Sequence, residues 1–425
     1  MRTLNAPTSE EIDYSYSWPK TFLPLNSKNS SSQATTARYS QAEIITIRST
    51  LVKVVGEATK LYTALKQHIV SMSELTIKLA RLNAMIIHAH NLLELELRLL
   101  AQTEDYETSA EAVTDMLRNQ SAELLSGYVI YDRYFNVIRI RSMSISQLAA
   151  QVAATSQGVL NDLPFALLGI DEILVIIKTI KLMFESLLQN FYPNADGMHP
   201  APNENDASIQ AKEHPHRWAS FWEHDQNDAE KWTHKVAFYR WMIGHHFFNL
   251  CSIFCRENLI LAGVAFEKNE ETTGGQFLQM AKEYLRATTA AMWYAGNFPA
   301  QTYRGEIRQS MVQAGAPGGF SGNQNLDYTF LKEAKDQLRK TILSKYGNNS
   351  CNWPIPVYNA VSEFREIYLH DMEQHILIAA AKVGTDTSLT QKVWQQGLPI
   401  EEVRLKNAVD VLRAMARLRQ QEFNL

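Results

Sequence analysis

The sequence predicts an all-α protein, and three observations support this fold class. Apolar residues recur at three- and four-residue steps through most of residues 39–192. Between Pro24 and Pro193 the only proline is Pro164, so little interrupts a helix in this region. Patterns that alternate between apolar and polar residues, as strands do, are nearly absent. We therefore predict a multi-helix bundle without an internal repeat.

The composition is that of a globular protein and excludes some functions. Apolar residues make up 45% of the 425 residues and charged residues 20%, which allows a large core. The 41 basic and 45 acidic residues give a net charge of −4, so we expect no nucleic-acid partner. Three cysteines are too few for a disulfide framework and favour a cytoplasmic location. No uninterrupted run of eighteen apolar residues occurs, so no membrane span is expected.

Four regions follow one another along the chain. Residues 1–38 are polar and contain three prolines, which predicts a flexible tail. Residues 39–192 are predicted to form long amphipathic helices, with Ser40 and Ser144 at helix starts. Residues 193–228 combine prolines with Asn, Asp and His and predict a linker. Residues 229–425 are predicted to form a second helical domain.

Individual helices can be placed from the same periodicity. In the first helical region the apolar steps include Leu61, Leu65, His68, Ile69 and Met72. In the second region, helices are predicted over residues 227–267, 275–294, 328–345, 357–383 and 400–423. The glycines and prolines of residues 296–328 predict an irregular segment.

An aromatic helix carries the first candidate site. His245 and His246 precede Phe247 and Phe248 in a segment that is apolar on most faces, so it should be buried. A buried histidine is costly unless it is hydrogen bonded, bound to a metal or facing a cavity. Each of the two is equally well explained as a satisfied core histidine. For the nearby Cys251 and Cys255, core packing is favoured over metal binding.

A second candidate site combines arginines with a glycine-rich loop. Arg304 and Arg308 lie one helical turn apart, and an inward-facing guanidinium suits a carboxylate; the alternative is a solvated helix face. In the loop of residues 316–328, Gly319 and Ser321 stand where a backbone can approach a ligand closely. The loop is not of the phosphate-binding type, because no Gly-Lys-Ser/Thr follows.

The predicted helix over residues 357–383 contains two more histidines. His370 and His375 are five residues apart and point in different directions, so they are not expected to bind one ion together. Asp371 with His375, or Glu366 with His370, could share a metal at i, i+4 spacing. Exposed acid–histidine pairs explain both spacings equally well.

The order of these motifs over residues 229–390 resembles the tryptophan 2,3-dioxygenase and indoleamine 2,3-dioxygenase superfamily. The similarity rests on the aromatic His helix, the Pro-aromatic-x-x-Arg turn, the Gly-Gly-x-Ser-Gly-x-Gln loop and a late Phe-Arg…His helix. It implies an all-α fold with heme b in the C-terminal half. The proximal iron ligand implied by the Phe364-Arg365 pair is His370, with His375 as the alternative.

The resemblance also implies roles for the remaining candidates. His245 and His246 become catalytic residues above the heme, and Arg308, with Arg304 nearby, binds the substrate carboxylate. Five residue positions are implied at or near the substrate: Phe247, Phe248, Gly319, Phe320 and Ser321. Trp241 and Trp293 would complete the apolar walls. In the family, a glycine-rich motif follows the proximal helix, and here it is shortened to Lys-Val-Gly-Thr. The predicted reaction is therefore dioxygenation, hydroxylation or rearrangement.

The predicted function is therefore a heme-dependent oxygenase that uses O2 on an indole or phenol amino acid, or a derivative, in secondary metabolism. A homodimer or homotetramer is expected. One alternative is a non-heme di-iron oxygenase that uses Asp371 with His375 and Glu230 with His234. The other is a helical interaction protein without catalysis.

Overall fold

The computed structural model describes residues 20–25, 39–68, 70–191, 229–316, 319–320 and 322–383. The predicted linker and the predicted helix over residues 400–423 lie outside these ranges. Within them the protein is built from helices with one small sheet, so the all-α prediction is confirmed.

The first helical region agrees with the predicted pattern of long helices. Both predicted helix starts are confirmed, because the Ser40 and Ser144 side chains accept hydrogen bonds from backbone amides in capping boxes. The helices are α1 (Gln41–Lys66), α2 (Met72–Thr103), α3 (Tyr106–Met116), α4 (Ala122–Tyr134), α5 (Ile145–Asp162) and α6 (Ile170–Phe191).

One apolar run that reads as continuous in the sequence spans a helix boundary. Helix α1 ends at Lys66, and His68 has a φ of 54°, in the left-handed region. Ser71 then starts α2 by accepting a hydrogen bond from the amide of Glu74. The apolar steps continue across the turn because both helices bury their apolar faces in the same core.

The second helical region follows the prediction except between residues 296 and 328. The predicted irregular segment contains two short helices joined by a π-helical turn, Tyr303–Ile307. The helices of this region are α7 (Ala229–Glu267), α8 (Glu271–Ala295), α9 (Ala300–Thr302), α10 (Arg308–Gln313), α11 (Leu326–Tyr346) and α12 (Ile355–Val383).

A two-stranded parallel sheet corrects the prediction for residues 1–38. Strand β1 (Thr21–Pro24) pairs with β2 (Val137–Ile140), with Thr21 opposite Val137. All four residues of β1 are buried, so a flexible tail is wrong for them. Four residues are too few to show a period, and their partner strand is distant in the chain.

Helix α7 positions the candidate site. It packs along α8, α11 and α5, and α8 in turn packs against α12. The segment His234–Glu267 is long and apolar enough to cross a membrane, although 61% of its most apolar window is buried within the protein. The same apolar surface therefore serves as the centre of the core, and several polar residues of this helix are buried there, among them His246, Asn249 and Ser252.

Candidate functional site

A group of ring side chains surrounds His245 near the middle of α7. We call it the His245 cluster, and its members come from α4, α7 and the loop before α11. They are Tyr131, Tyr134, Phe135, Trp241, His245 and Phe320. Trp241 and His245 lie one turn apart on α7, which brings their ring centroids to 4.2 Å.

The contacts of His245 determine its tautomer. Its Nδ1 lies 2.6 Å from the carbonyl oxygen of Trp241. Because a carbonyl oxygen only accepts hydrogen bonds, the ring proton is on Nδ1 and the lone pair is on Nε2. Phe135 stacks on the imidazole with centroids 4.0 Å apart. Burial lowers the pKa of His245 to about 3, with a smaller contribution from the neighbouring His246, so the ring is neutral near pH 7.

A neutral imidazole with a lone pair on Nε2 can bind a metal ion or accept a proton. Histidines that bind metals usually donate their other ring N–H to a carbonyl or carboxylate, which fixes the ring. Trp241 provides this carbonyl to His245 through the backbone of the same helix. His245 therefore has the tautomer and the hydrogen bond that a metal-binding histidine uses.

His246, the adjacent residue, is held in a different way. It is 1% exposed, and its Nδ1 lies 2.7 Å from the Thr21 hydroxyl. Its Nε2 lies 2.5 Å from the carbonyl oxygen of Phe135 and so carries the proton. Burial lowers its pKa to about 4. Both ring nitrogens are therefore used to join α7 to β1 and α4, which is the arrangement of a satisfied core histidine.

The two candidate arginines differ in their surroundings. Arg308 is half-buried beside Tyr303; burial raises the pKa of the Tyr303 phenol and the Arg308 charge partly offsets this. Tyr303 contacts Trp241 edge to face with centroids 5.8 Å apart. Arg304 is exposed. Both belong to the segment containing the π-helical turn, a feature often found at functional sites. The half-buried Arg308 thus lies near a tyrosine that contacts the His245 cluster, whereas Arg304 is exposed.

Four other predicted residues are placed as follows. Phe247 is fully buried in the main core, and Phe248 packs against Tyr328 with centroids 5.9 Å apart. Gly319 has a φ of 70° and directly precedes Phe320, so it helps to turn that ring into the cluster. Ser321 lies outside the described residues.

The predicted proximal ligands lie on α12, and both are exposed. Neither side chain is enclosed by the described residues, as a proximal heme ligand would be. Asp371 between them is buried and accepts hydrogen bonds from Thr288 at 3.1 Å and Thr289 at 2.5 Å. Asp371, the predicted partner of His375, thus points into the core, whereas His375 is exposed.

Metal clusters of the di-iron type are not found in the described part of the chain. No three His, Cys, Asp or Glu residues there are grouped to hold an ion. His234 contacts Glu306 at 2.9 Å, and the side chain of its predicted partner Glu230 is outside the described residues. Burial raises the pKa of the Cys255 thiol, which donates to the Ala281 carbonyl, in agreement with core packing.

Beside the cluster lies a buried group of charged and amide side chains, which we call the Arg139 network. Arg139 is fully buried and donates to Asp132 at 2.8 and 2.7 Å and to Asp327 at 2.9 and 2.8 Å. Asn325 donates to the Tyr131 hydroxyl at 2.8 Å. Tyr131 therefore belongs to the wall of the cluster and contacts this network.

Comparison with known families completes this description. The SfmD 3-methyl-L-tyrosine peroxygenase family matches residues 65–350, more than half of the chain. The chain belongs to this family. The family description is that of a peroxygenase, an oxidoreductase. The matched region contains His245 and Arg308 and ends before His370. No curated protein and no solved structure matches the sequence.

Sequence reasoning missed the contribution of α4 to the cluster. Tyr131, Tyr134 and Phe135 lie at i, i+3 and i+4 at the end of a helix, a spacing that puts three rings on one side. That spacing is visible in the sequence, but it is equally typical of a core helix. Only the contact with α7 shows that these rings surround a histidine.

Proposed function

We propose that this protein is a heme-dependent peroxygenase acting on the ring of a tyrosine-like amino acid. Such an enzyme transfers one oxygen atom of a peroxide to the substrate and releases the other as water. The match to the SfmD 3-methyl-L-tyrosine peroxygenase family supports the reaction class. The predicted relation to the tryptophan and indoleamine dioxygenase superfamily is part of this proposal, with peroxide in place of O2 as oxidant.

The observation that carries the proposal is the state of His245. A histidine that binds heme iron does so as a neutral imidazole, usually with its other ring nitrogen donating to an acceptor. His245 fits in its donor chemistry, since Nδ1 donates to Trp241 and Nε2 keeps its lone pair. His245 would therefore hold the heme through Nε2, and His370 and His375 on α12 are the competing ligands. Heme bound there would supply the oxygen-transfer chemistry.

The chain itself would bind and orient the substrate. The half-buried Arg308 carries a fixed positive charge next to the cluster and suits the substrate carboxylate. The rings of Phe320 and Tyr134, with centroids 5.0 Å apart, offer apolar faces to an aromatic ring and exclude water. A carboxylate held at one end and a ring held at the other fix which ring carbon reacts.

The test is a hemin titration of the purified protein followed by absorption. We expect the wild type to bind one hemin with a Soret band typical of histidine ligation. His245→Ala should lose this band, while His370→Ala and His375→Ala should keep it. A Soret band lost only in His370→Ala or His375→Ala would assign the iron-binding histidine to α12 instead. Absence of a histidine-type band in the wild type would overturn the heme proposal.

The proposal also includes the oligomeric state and the location of the protein. We propose a homodimer or homotetramer in the cytoplasm, with no nucleic acid or membrane as partner. Size-exclusion chromatography with light scattering would determine the oligomeric state.

A further inference from the structure

The indole of Trp241 has a feature that the proposed function does not use. Its Nε1–H is completely buried and forms no hydrogen bond within the part of the chain that the structure describes. Two other tryptophans show the usual arrangement: Trp293 donates to Gln374 at 3.1 Å and Trp353 donates to the Gly347 carbonyl at 3.0 Å. A buried donor without an acceptor costs about 1–3 kcal/mol. Other buried polar atoms of the described residues share this state, among them the hydroxyls of Tyr284 and Tyr294, but Trp241 Nε1 is the one that belongs to the His245 cluster.

The surroundings of Trp241 offer no substitute for the missing acceptor among the described residues. Its nearest ring is that of His245, with centroids 4.2 Å apart, but the indole N–H makes no hydrogen bond to it. The other neighbours are the rings of Phe135 at 6.0 Å, Phe298 at 6.4 Å and Tyr303 at 5.8 Å. The hydroxyls of the cluster are also engaged. Tyr131 accepts from Asn325, and the Tyr134 hydroxyl lies 2.7 Å from that of Ser310.

We propose that the Trp241 indole N–H donates a hydrogen bond to an oxygen atom of the ligand bound in the His245 cluster. The proposal rests on the proposed function for the kind of ligand. Two oxygens share the required chemistry, a carboxylate at the edge of a heme and the phenol oxygen of a tyrosine-like substrate. Both are strong acceptors attached to a flat ring system that the aromatic walls can hold. Trp241 thus selects ligands that carry an oxygen at this point.

The experiment compares each ligand with a partner that has a weaker acceptor or none. The pairs are hemin with its dimethyl ester, and 3-methyl-L-tyrosine with 3-methyl-L-phenylalanine. Dissociation constants are measured for the wild type, Trp241→Phe and Trp353→Phe, by absorption for the hemins and by calorimetry for the amino acids. Trp353→Phe is the control, because it also removes one indole N–H but lies outside the cluster.

We expect Trp241→Phe to weaken binding of the oxygen-bearing member of one pair by about 10-fold, the value of one buried hydrogen bond to a good acceptor. Its partner should change by less than about 2-fold, and Trp353→Phe should bind all four ligands as the wild type does. A loss confined to hemin identifies the heme carboxylate as acceptor, and a loss confined to 3-methyl-L-tyrosine identifies the phenol.

Two results overturn the proposal: equal losses for both members of each pair, or no loss at all in Trp241→Phe. A wild type that binds neither hemin nor the amino acid also overturns it. A wild type that fails to bind hemin but shows the phenol preference contradicts the heme assignment alone. Far-ultraviolet circular dichroism of each variant shows that the fold is retained.

Discussion

The Arg139 network and the His245 cluster meet at Tyr131 but differ in burial and in hydrogen bonding. The network is buried, whereas four of the six cluster residues are half-buried. In the network, the guanidinium of Arg139 has two carboxylates as partners. In the cluster, the N–H of Trp241 has no acceptor among the described residues, and Nε2 of His245 keeps its lone pair. A buried polar group that is fully bonded stabilises a fold, whereas one that is not costs free energy until a ligand binds. The ion pairs of Arg139 therefore indicate a structural role for the network, and the open polar atoms of the cluster support its proposed role in ligand binding.

The largest expected effect comes from breaking the network. Arg139→Met leaves Asp132 and Asp327 buried together without a cation and should lower the free energy of unfolding by about 3–5 kcal/mol. Arg141→Met on the same side of the sheet region breaks an exposed pair with Asp115 and should cost less than about 1 kcal/mol. Urea unfolding followed by circular dichroism measures both. Similar values for the two variants would contradict a structural role for the network.

The second effect is a pH dependence from His246. Its pKa is about 4 in the folded protein and near 6.5 when unfolded, so the unfolded chain takes up the proton first. The contribution of His246 to the free energy of unfolding is complete above pH 6.5. It falls by about 3 kcal/mol as the pH drops towards 4. His246→Asn lacks this titration, so its stability should change less than that of the wild type over the same window. The free energy of unfolding is measured against pH for both proteins. Equal pH dependence in the wild type and His246→Asn would show that His246 is not buried as a neutral ring.

A smaller effect separates the two candidate arginines, Arg308 and Arg304. Arg308→Ala should weaken binding of 3-methyl-L-tyrosine by about 10-fold or more, because a charge-assisted bond to the carboxylate is lost. Arg304 is exposed, so Arg304→Ala should change binding by less than about 2-fold. Calorimetry with the amino acid and with its methyl ester checks the cause. An effect of Arg308→Ala that persists with the ester would assign Arg308 another role.

The smallest effect concerns Tyr131, where the Arg139 network meets the His245 cluster. Tyr131→Phe removes the hydroxyl that accepts from Asn325 but keeps the ring that packs against Phe320. Asn325 also donates to Asn249, so the expected loss of unfolding free energy is only about 1 kcal/mol. Hemin affinity should stay unchanged. A lower hemin affinity would extend the binding site into the network.

Much of the fold followed from the sequence because helix signals are local. Ser40 and Ser144 start helices through contacts with residues three positions later, and the 3.6-residue period needs no tertiary information. The sequence also indicated that chemistry would lie near the aromatic helix of residues 238–251. Four of the residues it pointed to, Trp241, His245, Arg308 and Phe320, lie in or beside the cluster.

The tertiary structure alone decided how the adjacent histidines differ. His245 and His246 have the same sequence environment, but a helix directs neighbouring side chains about 100° apart. One side of α7 meets β1 and the end of α4, where Thr21 and Phe135 engage both nitrogens of His246. The other side meets a wall of rings, where the carbonyl that holds His245 belongs to its own helix and Nε2 keeps its lone pair. These partners come from distant segments, and no local pattern could have assigned them.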